Sequence, residues 1–311
     1  MNPFYRDYAD FLGRYFGGKV QKISVDAALG CPNRDGTVGR GGCIYCNNAA
    51  FSPDFNKRHL PVEEQIEAGK RFFARKYPQM SYLAYFQSYT GSHGAIENLV
   101  DMYSRALRCR DVCGLVIGTR PDCMPDMLLQ ALADLRSTSG KHIFIEYGAE
   151  TAHDSTLSVI NRCHTWSCTV DAVRRTASAG FPVGVHLILG LPGESIDMML
   201  ETVDMINGLP VDTVKFHQLQ VLVGTCLAAG IEKGLYSDRI EFTPESYADL
   251  CCMIVRRLRP DIAIERFVAQ APSDLLVSPR WGLKNYQFVN LLFKKLSADA
   301  APVGGALGNR P

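Results

Sequence analysis

Several features that would restrict the class of protein are missing from this 311-residue sequence. No run of about 18 apolar residues is present, which excludes a membrane-spanning helix. The first 16 residues mix Tyr, Asp, Arg and Phe and lack the apolar stretch of a secretory signal, so we expect a cytoplasmic protein. A net charge of only +1 argues against a general polyanion-binding protein.

Charge is less evenly distributed near the C-terminus. From residue 251 onwards, nine Lys and Arg residues stand against four Asp and Glu residues. This surplus fits either a surface that binds a phosphate-bearing substrate or the solvated face of a helix.

Cysteine is plentiful, with eleven residues. An odd number without a secretory signal makes a disulfide framework a poor explanation, and reduced thiols that bind metal fit better. Several of the cysteines stand among Leu, Val, Met and Ile, where a free thiol packs as a small hydrophobic side chain.

Short apolar runs rich in β-branched and aromatic residues alternate with longer segments of helical periodicity. The runs predict six strands, at residues 20–25, 82–86, 114–117, 142–147, 183–189 and 214–219. The segments between them predict five helices, at residues 62–77, 95–109, 125–136, 167–179 and 195–207. This alternation indicates parallel βαβ units that curl into an α/β barrel, with functional residues where strands run into the following helices.

The chain is predicted to divide into four parts. Residues 1–19 form an N-terminal segment and residues 20–222 form the barrel. Residues 223–300 form a C-terminal α/β extension packed on the barrel, with a helix at 244–259, a strand at 262–267 and a helix at 285–296. Residues 301–311, which carry Gly and Pro, are expected to be a loose tail.

A glycine-rich loop after the first predicted strand carries Cys31, Cys43 and Cys46. Five glycines lie within residues 30–42, so the loop can turn tightly and bring its backbone close to a bound group. Three thiolates are one ligand short of a closed tetrahedral zinc site. They suit a [4Fe–4S] cluster with one iron left open. A Cys₃His zinc site completed by His59 is the alternative.

The loop and several later motifs resemble the YhcC/YtqA family of radical S-adenosylmethionine (SAM) proteins, which is close to Elp3 and to the oxygen-independent coproporphyrinogen oxidases. Eleven residues separate Cys31 from Cys43 and two separate Cys43 from Cys46, whereas most radical SAM proteins have three and then two. Further matches to the YhcC/YtqA family lie at residues 82–87, 118–122, 151–154, 160–162 and 186–194.

The resemblance implies a partial (β/α)6 TIM-type barrel of the radical SAM class, with a [4Fe–4S] cluster and SAM as cofactors. The cluster ligands are then Cys31, Cys43 and Cys46. The residues implied to lie around SAM are Tyr45, Gln87, Glu150, Arg162, His186, Gly190 and Glu194.

Two of these positions depart from the usual radical SAM pattern. Gln87 stands where most of these enzymes have a Gly-Gly-Glu segment that takes the SAM amino group. Glu150 replaces an amide, and an ionised carboxylate accepts hydrogen bonds but cannot donate them. A core role for His186, a strand-end salt bridge for Glu150 and a surface position for Arg162 are the structural alternatives.

Four further residues are candidates for the substrate. Arg120 and Asp122 follow the third predicted strand, where they contact substrate or pair with each other. Lys215 and His217 alternate on the sixth predicted strand and therefore share one face. If that face lines the barrel, both reach the substrate cavity.

The implied chemistry is reductive cleavage of SAM, which requires a one-electron donor such as flavodoxin or ferredoxin. The resulting 5′-deoxyadenosyl radical abstracts a hydrogen atom from the substrate. Similarity to Elp3 points to a tRNA substrate, and similarity to the porphyrinogen oxidases points to a small molecule. Two other hypotheses are an RNA-binding protein that carries zinc or an Fe–S cluster without radical chemistry, and a scaffold with a degenerate site.

Overall fold

The computed structural model describes residues 2–51, 59–74 and 80–300. Its strands are β1 (Val20–Val25), β2 (Ser81–Phe86), β3 (Val112–Thr119), β4 (His142–Glu150), β5 (Val183–Leu189), β6 (Thr213–Gln218), β7 (Val221–Leu222), β8 (Ala263–Arg266) and β9 (Leu276–Ser278). The first six correspond to the six strands that the sequence predicts.

The helices alternate with the strands. They are α1 (Tyr8–Leu12), α2 (Pro32–Asp35), α3 (Val62–Ala74), α4 (Ile96–Arg108), α5 (Asp126–Ser139), α6 (Asp154–Val159), α7 (Trp166–Ser178), α8 (Ile196–Asn207), α9 (Cys226–Glu232), α10 (Pro244–Arg257) and α11 (Asn285–Ala300). Residues 75–77 of the first predicted helix and the predicted tail at 301–311 lie outside the described residues. In the described part of the chain, no helix has the length and apolar character needed to cross a bilayer.

A seven-stranded parallel sheet in the order β1-β2-β3-β4-β5-β6-β8 forms the centre of the molecule. The predicted α/β barrel of parallel strands is thereby confirmed. The sequence placed the strand at 262–267 in an extension packed on the barrel, but β8 pairs with β6 as a seventh strand of the same sheet. This pairing satisfies the backbone groups that the edge of β6 would otherwise leave open.

The two faces of the sheet differ in chemistry because side chains alternate along each strand. Outward-facing residues such as Ile23, Phe86, Ile145 and Phe216 are buried in one large core between the sheet and its helices. The inward-facing positions of the same strands include charged and polar residues, which line the interior of the barrel.

The N-terminal segment closes the floor of the barrel. Phe11 and Leu12 of α1 pack with inward-facing apolar residues of four strands, Phe144 of β4 among them. The backbone N–H of Ile264 donates to the carbonyl of Arg6 at 2.8 Å, which ties this segment to β8. Water is therefore excluded from the lower end of the barrel.

An inner charge layer, made of Lys22, Glu146, His186, Lys215 and Glu265, lies within the barrel. Lys22 Nζ is 2.5 Å from Glu146 Oε1 and 2.6 Å from Glu265 Oε2. Lys215 Nζ is 3.0 Å from a carboxylate oxygen of each glutamate, and His186 Nε2 is 2.8 Å from Glu146 Oε2. Because β1, β4, β5, β6 and β8 each contribute a member, these contacts cross-link most of the sheet.

Replacement of Lys22 by Met should destabilise the protein more than loss of a surface ion pair. The variant leaves two buried carboxylates with one lysine between them. Removal of one partner from a buried ion pair lowers the free energy of unfolding by about 3 kcal/mol or more. Lys70→Met is the matched control, because Lys70 pairs with the half-exposed Glu67 at 2.8 Å, a surface contact that contributes about 1 kcal/mol or less. Urea unfolding measures both free energies, and equal losses would contradict the role of the inner charge layer.

Candidate active site

A cavity of about 1400 Å³ lies inside the barrel, and residues at the carboxyl ends of the strands form much of its lining. This is the end where parallel α/β barrels carry their functional residues. Its lining includes eleven of the residues predicted from sequence, which are Cys31, Cys43, Tyr45, Cys46, Gln87, Arg120, Glu150, Arg162, His186, Lys215 and His217. The alternative zinc ligand His59 is exposed and is not part of this lining.

The cysteine loop folds back on itself, and this brings Cys43 near Cys31 across eleven intervening residues. Cys31 precedes the short helix α2, and its carbonyl accepts hydrogen bonds from the N–H groups of Arg34 and Asp35 at 2.8 and 3.1 Å. The N–H of Gly42 then donates to the carbonyl of Asn33 at 2.8 Å.

Two glycines of this loop are required by its shape. Gly42 has a φ of +78°, and a Cβ there would lie 2.8 Å from Nε of Arg34. At Gly39, a Cβ would lie 2.3 Å from Oδ1 of Asn33. Larger side chains at either position would therefore push α2 away from the returning chain.

Nitrogen donors surround the buried thiol of Cys43. Arg162 Nη1 is 3.5 Å and Asn33 Nδ2 is 3.8 Å from Cys43 Sγ. Asn161 fixes this arrangement, because its side-chain amide donates to the carbonyls of Arg40 and Gly42 at 3.1 and 2.8 Å. The sulfur of Cys43 thus has nitrogen neighbours from two parts of the chain, Asn33 of α2 and Arg162.

Burial, and next the neighbouring Cys43, raise the pKa of the Cys46 thiol, while Arg34 acts in the opposite direction. Because a thiol releases its proton when its sulfur binds a metal, a bound metal centre would offset this effect at Cys46. Within the described residues, no group of three or more His, Cys, Asp or Glu side chains surrounds one ion position. A four-iron cube does not need such a group, because each of its thiolates binds a different iron.

The buried pair of Arg162 and Glu150 borders the cysteine site. Their closest atoms, Arg162 Nη2 and Glu150 Oε1, are 3.2 Å apart, and Arg162 Nη2 also donates to the carbonyl of Gly148 at 2.6 Å. A Cβ on Gly148 would lie 2.6 Å from that Nη2, so only glycine leaves room for the guanidinium. Nε of Arg162 is buried and has no hydrogen-bond partner among the described residues.

Arg120 and Asp122 pair with each other, which was one of the two predicted alternatives. The guanidinium donates twice to the Asp122 carboxylate, at 2.9 and 2.7 Å, and once to the carbonyl of Arg162 at 2.9 Å. Arg120 lines the cavity, whereas Asp122 is not part of its lining. Arg120 thus supports the backbone that carries Arg162.

Gly190 and Glu194 lie behind the lining and are not part of it. Gly190 has a φ of +91° and packs closely against the ring of Phe242. The Glu194 carboxylate accepts a hydrogen bond from the hydroxyl of Thr151. Gln87, by contrast, lines the cavity and donates to Ser24 Oγ at 2.8 Å.

Sequence reasoning missed several residues of the lining, above all Lys22, Glu265 and Arg266. It also left out Glu146, which holds the inner charge layer together. One signal was available for Lys22 and Glu146, because each is next to a buried apolar residue of its strand, Ile23 and Ile145. Period-two alternation would have placed Lys22 and Glu146 on the face of the sheet opposite to these apolar residues.

His217 is expected to make the protein sensitive to acid. The pKa of His217 is lowered to about 3, chiefly by burial and next by the charge of Arg266. His186 and Lys215 add to this effect. An unfolded histidine has a pKa of about 6.5, so only the unfolded state takes up a proton between these values, and stability falls as the pH falls through this range. In a variant without His217, the decrease in the free energy of unfolding between pH 7 and pH 5 should be smaller by up to about 2 kcal/mol.

Urea unfolding of the wild type and of His217→Asn at pH 5 and pH 7 measures this difference. At pH 7 the difference in free energy of unfolding between the two proteins reflects the change of side chain alone, since histidine is mostly neutral there in the folded and the unfolded state. Identical acid sensitivity of the two proteins would show that His217 takes up its proton equally in the folded and unfolded states.

Family models account for most of the chain. The model of the radical SAM superfamily matches residues 29–206, and the model of the Radical_SAM C-terminal domain matches residues 211–298. The first match includes all three loop cysteines. The second includes β6 and β8, which complete the sheet.

Individual proteins give a consistent result. The sequence is 35% identical over 287 residues to the uncharacterized protein YtqA of Bacillus subtilis, an alignment that covers 92% of this chain and 87% of YtqA. It is 36% identical over 270 residues to YhcC of Escherichia coli K12, covering 87% of this chain and 85% of YhcC.

Among solved structures, Elp3 of Methanocaldococcus infernus matches with a TM-score of 0.67 at 17% sequence identity. The match covers 91% of this chain, which spans 64% of that Elp3 chain. At this identity the likeness concerns the fold.

Proposed function

Because the chain belongs to the radical SAM superfamily, whose cofactors are a [4Fe–4S] cluster and SAM, we propose that it holds the cluster on Cys31, Cys43 and Cys46 and uses SAM to abstract a hydrogen atom from an organic substrate. The observation that carries the proposal is that all three thiols line one cavity at the carboxyl end of the barrel. The bound cofactors would supply a carbon radical there by one-electron reduction of SAM.

The residues around the thiols fit an anionic cluster and a zwitterionic cofactor. Arg162 and Asn33 approach Cys43 Sγ, and N–H donors of this kind offset the negative charge of thiolates bound to iron. The buried, unpartnered Nε of Arg162 is a suitable donor for the SAM carboxylate. Glu150, on the other side of that guanidinium, is suited to accept from the SAM amino group or ribose hydroxyls.

Other residues would position the cofactor by contact. Tyr45, immediately before Cys46, and Gln87, fixed by Ser24, both line the cavity. His186 is held by Glu146 at 2.8 Å and lines the cavity from β5. We place these three residues against SAM.

The lower barrel would protect the reaction from water. Phe11 of α1 and Phe144 of β4 belong to an apolar cluster that fills much of the amino end of the barrel. A reactive intermediate needs this protection, since solvent and side reactions would otherwise consume it. An external one-electron donor such as flavodoxin or ferredoxin is expected to reach the cluster from the side of the cysteine loop.

Single replacement of Cys31, Cys43 or Cys46 by Ala should abolish cluster binding and SAM cleavage. Each variant removes one of three protein ligands, and the remaining two cannot hold the cube. The measurements are iron and sulfide per chain after anaerobic reconstitution, and methionine released from SAM under reductant. Cys226→Ala is the control, because Cys226 is an exposed free thiol at the start of α9 and should keep four irons per chain.

Two outcomes would contradict the proposal. Colourless wild-type protein that purifies with zinc would favour the metal-bearing RNA-binding alternative. Protein with a full cluster that never cleaves SAM under reductant would favour a scaffold with a degenerate site.

A further inference from the structure

Arg266 lines the cavity, and no carboxylate among the described residues forms an ion pair with its guanidinium. Its Nε is buried and has no hydrogen-bond partner among the described residues. The carboxylate next to it in sequence, Glu265, is already shared between Lys22 at 2.6 Å and Lys215 at 3.0 Å. Burying an uncompensated charge is unfavourable, so this position is prepared for an anion from outside the chain.

A β-bulge is the reason that Arg266 faces inward. In the register between β6 and β8, Val214 is opposite Ile264, but Lys215 is opposite Arg266. Glu265 is therefore the extra residue, and both Glu265 and Arg266 line the cavity although they are neighbours in sequence. Bulges often redirect a side chain in this way beside functional sites.

Two acceptors belong to the same part of the lining. Gln220 is 6% exposed and donates from Nε2 to the carbonyl of Ala269 at 3.1 Å, which leaves its buried Oε1 without a partner among the described residues. His217 Nδ1 is 3.3 Å from the carbonyl of Gln218. That contact requires the proton on Nδ1, so Nε2 of the neutral ring is left as an acceptor.

The segment after β8 is held rigidly against the end of β6. The Gln218 side chain both donates to the carbonyl and accepts from the N–H of Ala269, each at 3.0 Å. Together with Gln220, it fixes the backbone three residues beyond Arg266. A site held in this way can select a ligand by geometry as well as by charge.

We propose that Arg266, Gln220 and His217 form a substrate subsite. Arg266 binds an anionic group of the substrate, a carboxylate or a phosphate. Gln220 and His217 accept hydrogen bonds from neighbouring hydroxyl or amino groups of the same molecule. The inference rests on the proposed function for calling that molecule a substrate. Carboxylate and phosphate share the geometry that a guanidinium recognises, through two parallel N–H donors.

Binding of simple anions to the cluster-loaded, SAM-bound protein tests the subsite. Inorganic phosphate and acetate are titrated separately by anaerobic calorimetry, with ionic strength kept constant by chloride. We expect saturable binding of at least one anion and a loss of about tenfold or more in affinity in Arg266→Gln, since a charge-assisted bidentate contact is removed. Arg110→Gln, which changes an arginine side chain that is 90% exposed, should bind as the wild type does.

The preferred anion distinguishes the two sources of negative charge. Tighter phosphate binding indicates a phosphorylated substrate, and tighter acetate binding indicates a carboxylic acid. Arg266→Lys keeps the positive charge but loses the two parallel N–H donors of the guanidinium, so it should also weaken anion binding. It replaces Arg266→Gln if that variant fails to fold.

Three results would overturn the inference. The first is that the wild-type protein binds neither anion, and the second is that the Arg266 variants bind both anions normally. The third is that the Arg266 variants lose affinity for SAM itself, which would assign Arg266 to the cofactor. Cleavage of SAM without substrate is measured on the same samples. It tests the proposed function separately, because wild-type protein that never cleaves SAM contradicts the proposed function whatever the anion titrations show.

Discussion

The buried carboxylate of Glu146 is the contact on which the barrel interior depends. It accepts from Lys22, Lys215 and His186, and Glu265 accepts from the same two lysines. Burial acts to raise the pKa of Glu146, but the surrounding cations hold it well below its usual value, so the carboxylate is ionised. Glu146 is on β4 and its partners are on β1, β5 and β6, so one carboxylate ties the first strand of the sheet to strands across the barrel.

Above this layer, the site is built from buried charges that restrain one another. Arg120 supports the backbone at Arg162, which reaches Glu150 and the thiol of Cys43. Most of the basic residues near the C-terminus have simpler roles, and Arg257 and Arg259 pair with Asp204 and Asp261 at the surface. Arg266 is the exception that faces the cavity. The surface explanation of the local charge surplus is therefore confirmed for Arg257 and Arg259.

The sequence was informative where the pattern is local. Strand and helix periodicity predicted six strands and five helices close to their observed positions. Residues that depend on distant partners were harder to find. Lys22 is explained only by Glu146 and Glu265, which are far away in sequence, and Arg266 faces inward because of a bulge that no periodicity rule includes. The position of Gly190 and Glu194 behind the lining likewise follows from tertiary packing against Phe242 and Thr151.

The contact between the N-terminal segment and β8 has a consequence for how the chain reaches this structure. Arg6 is synthesised well before Ile264 of β8, whose N–H donates to its carbonyl. The ion pair between Lys22 and Glu265 likewise forms only after β8 has been synthesised. Contacts of such long sequence separation form slowly, because the intervening chain must be ordered before they contribute. The contact between the N-terminal segment and the sheet therefore forms only after β8 has been synthesised, and until then the apolar face of α1 depends on other protection from aggregation.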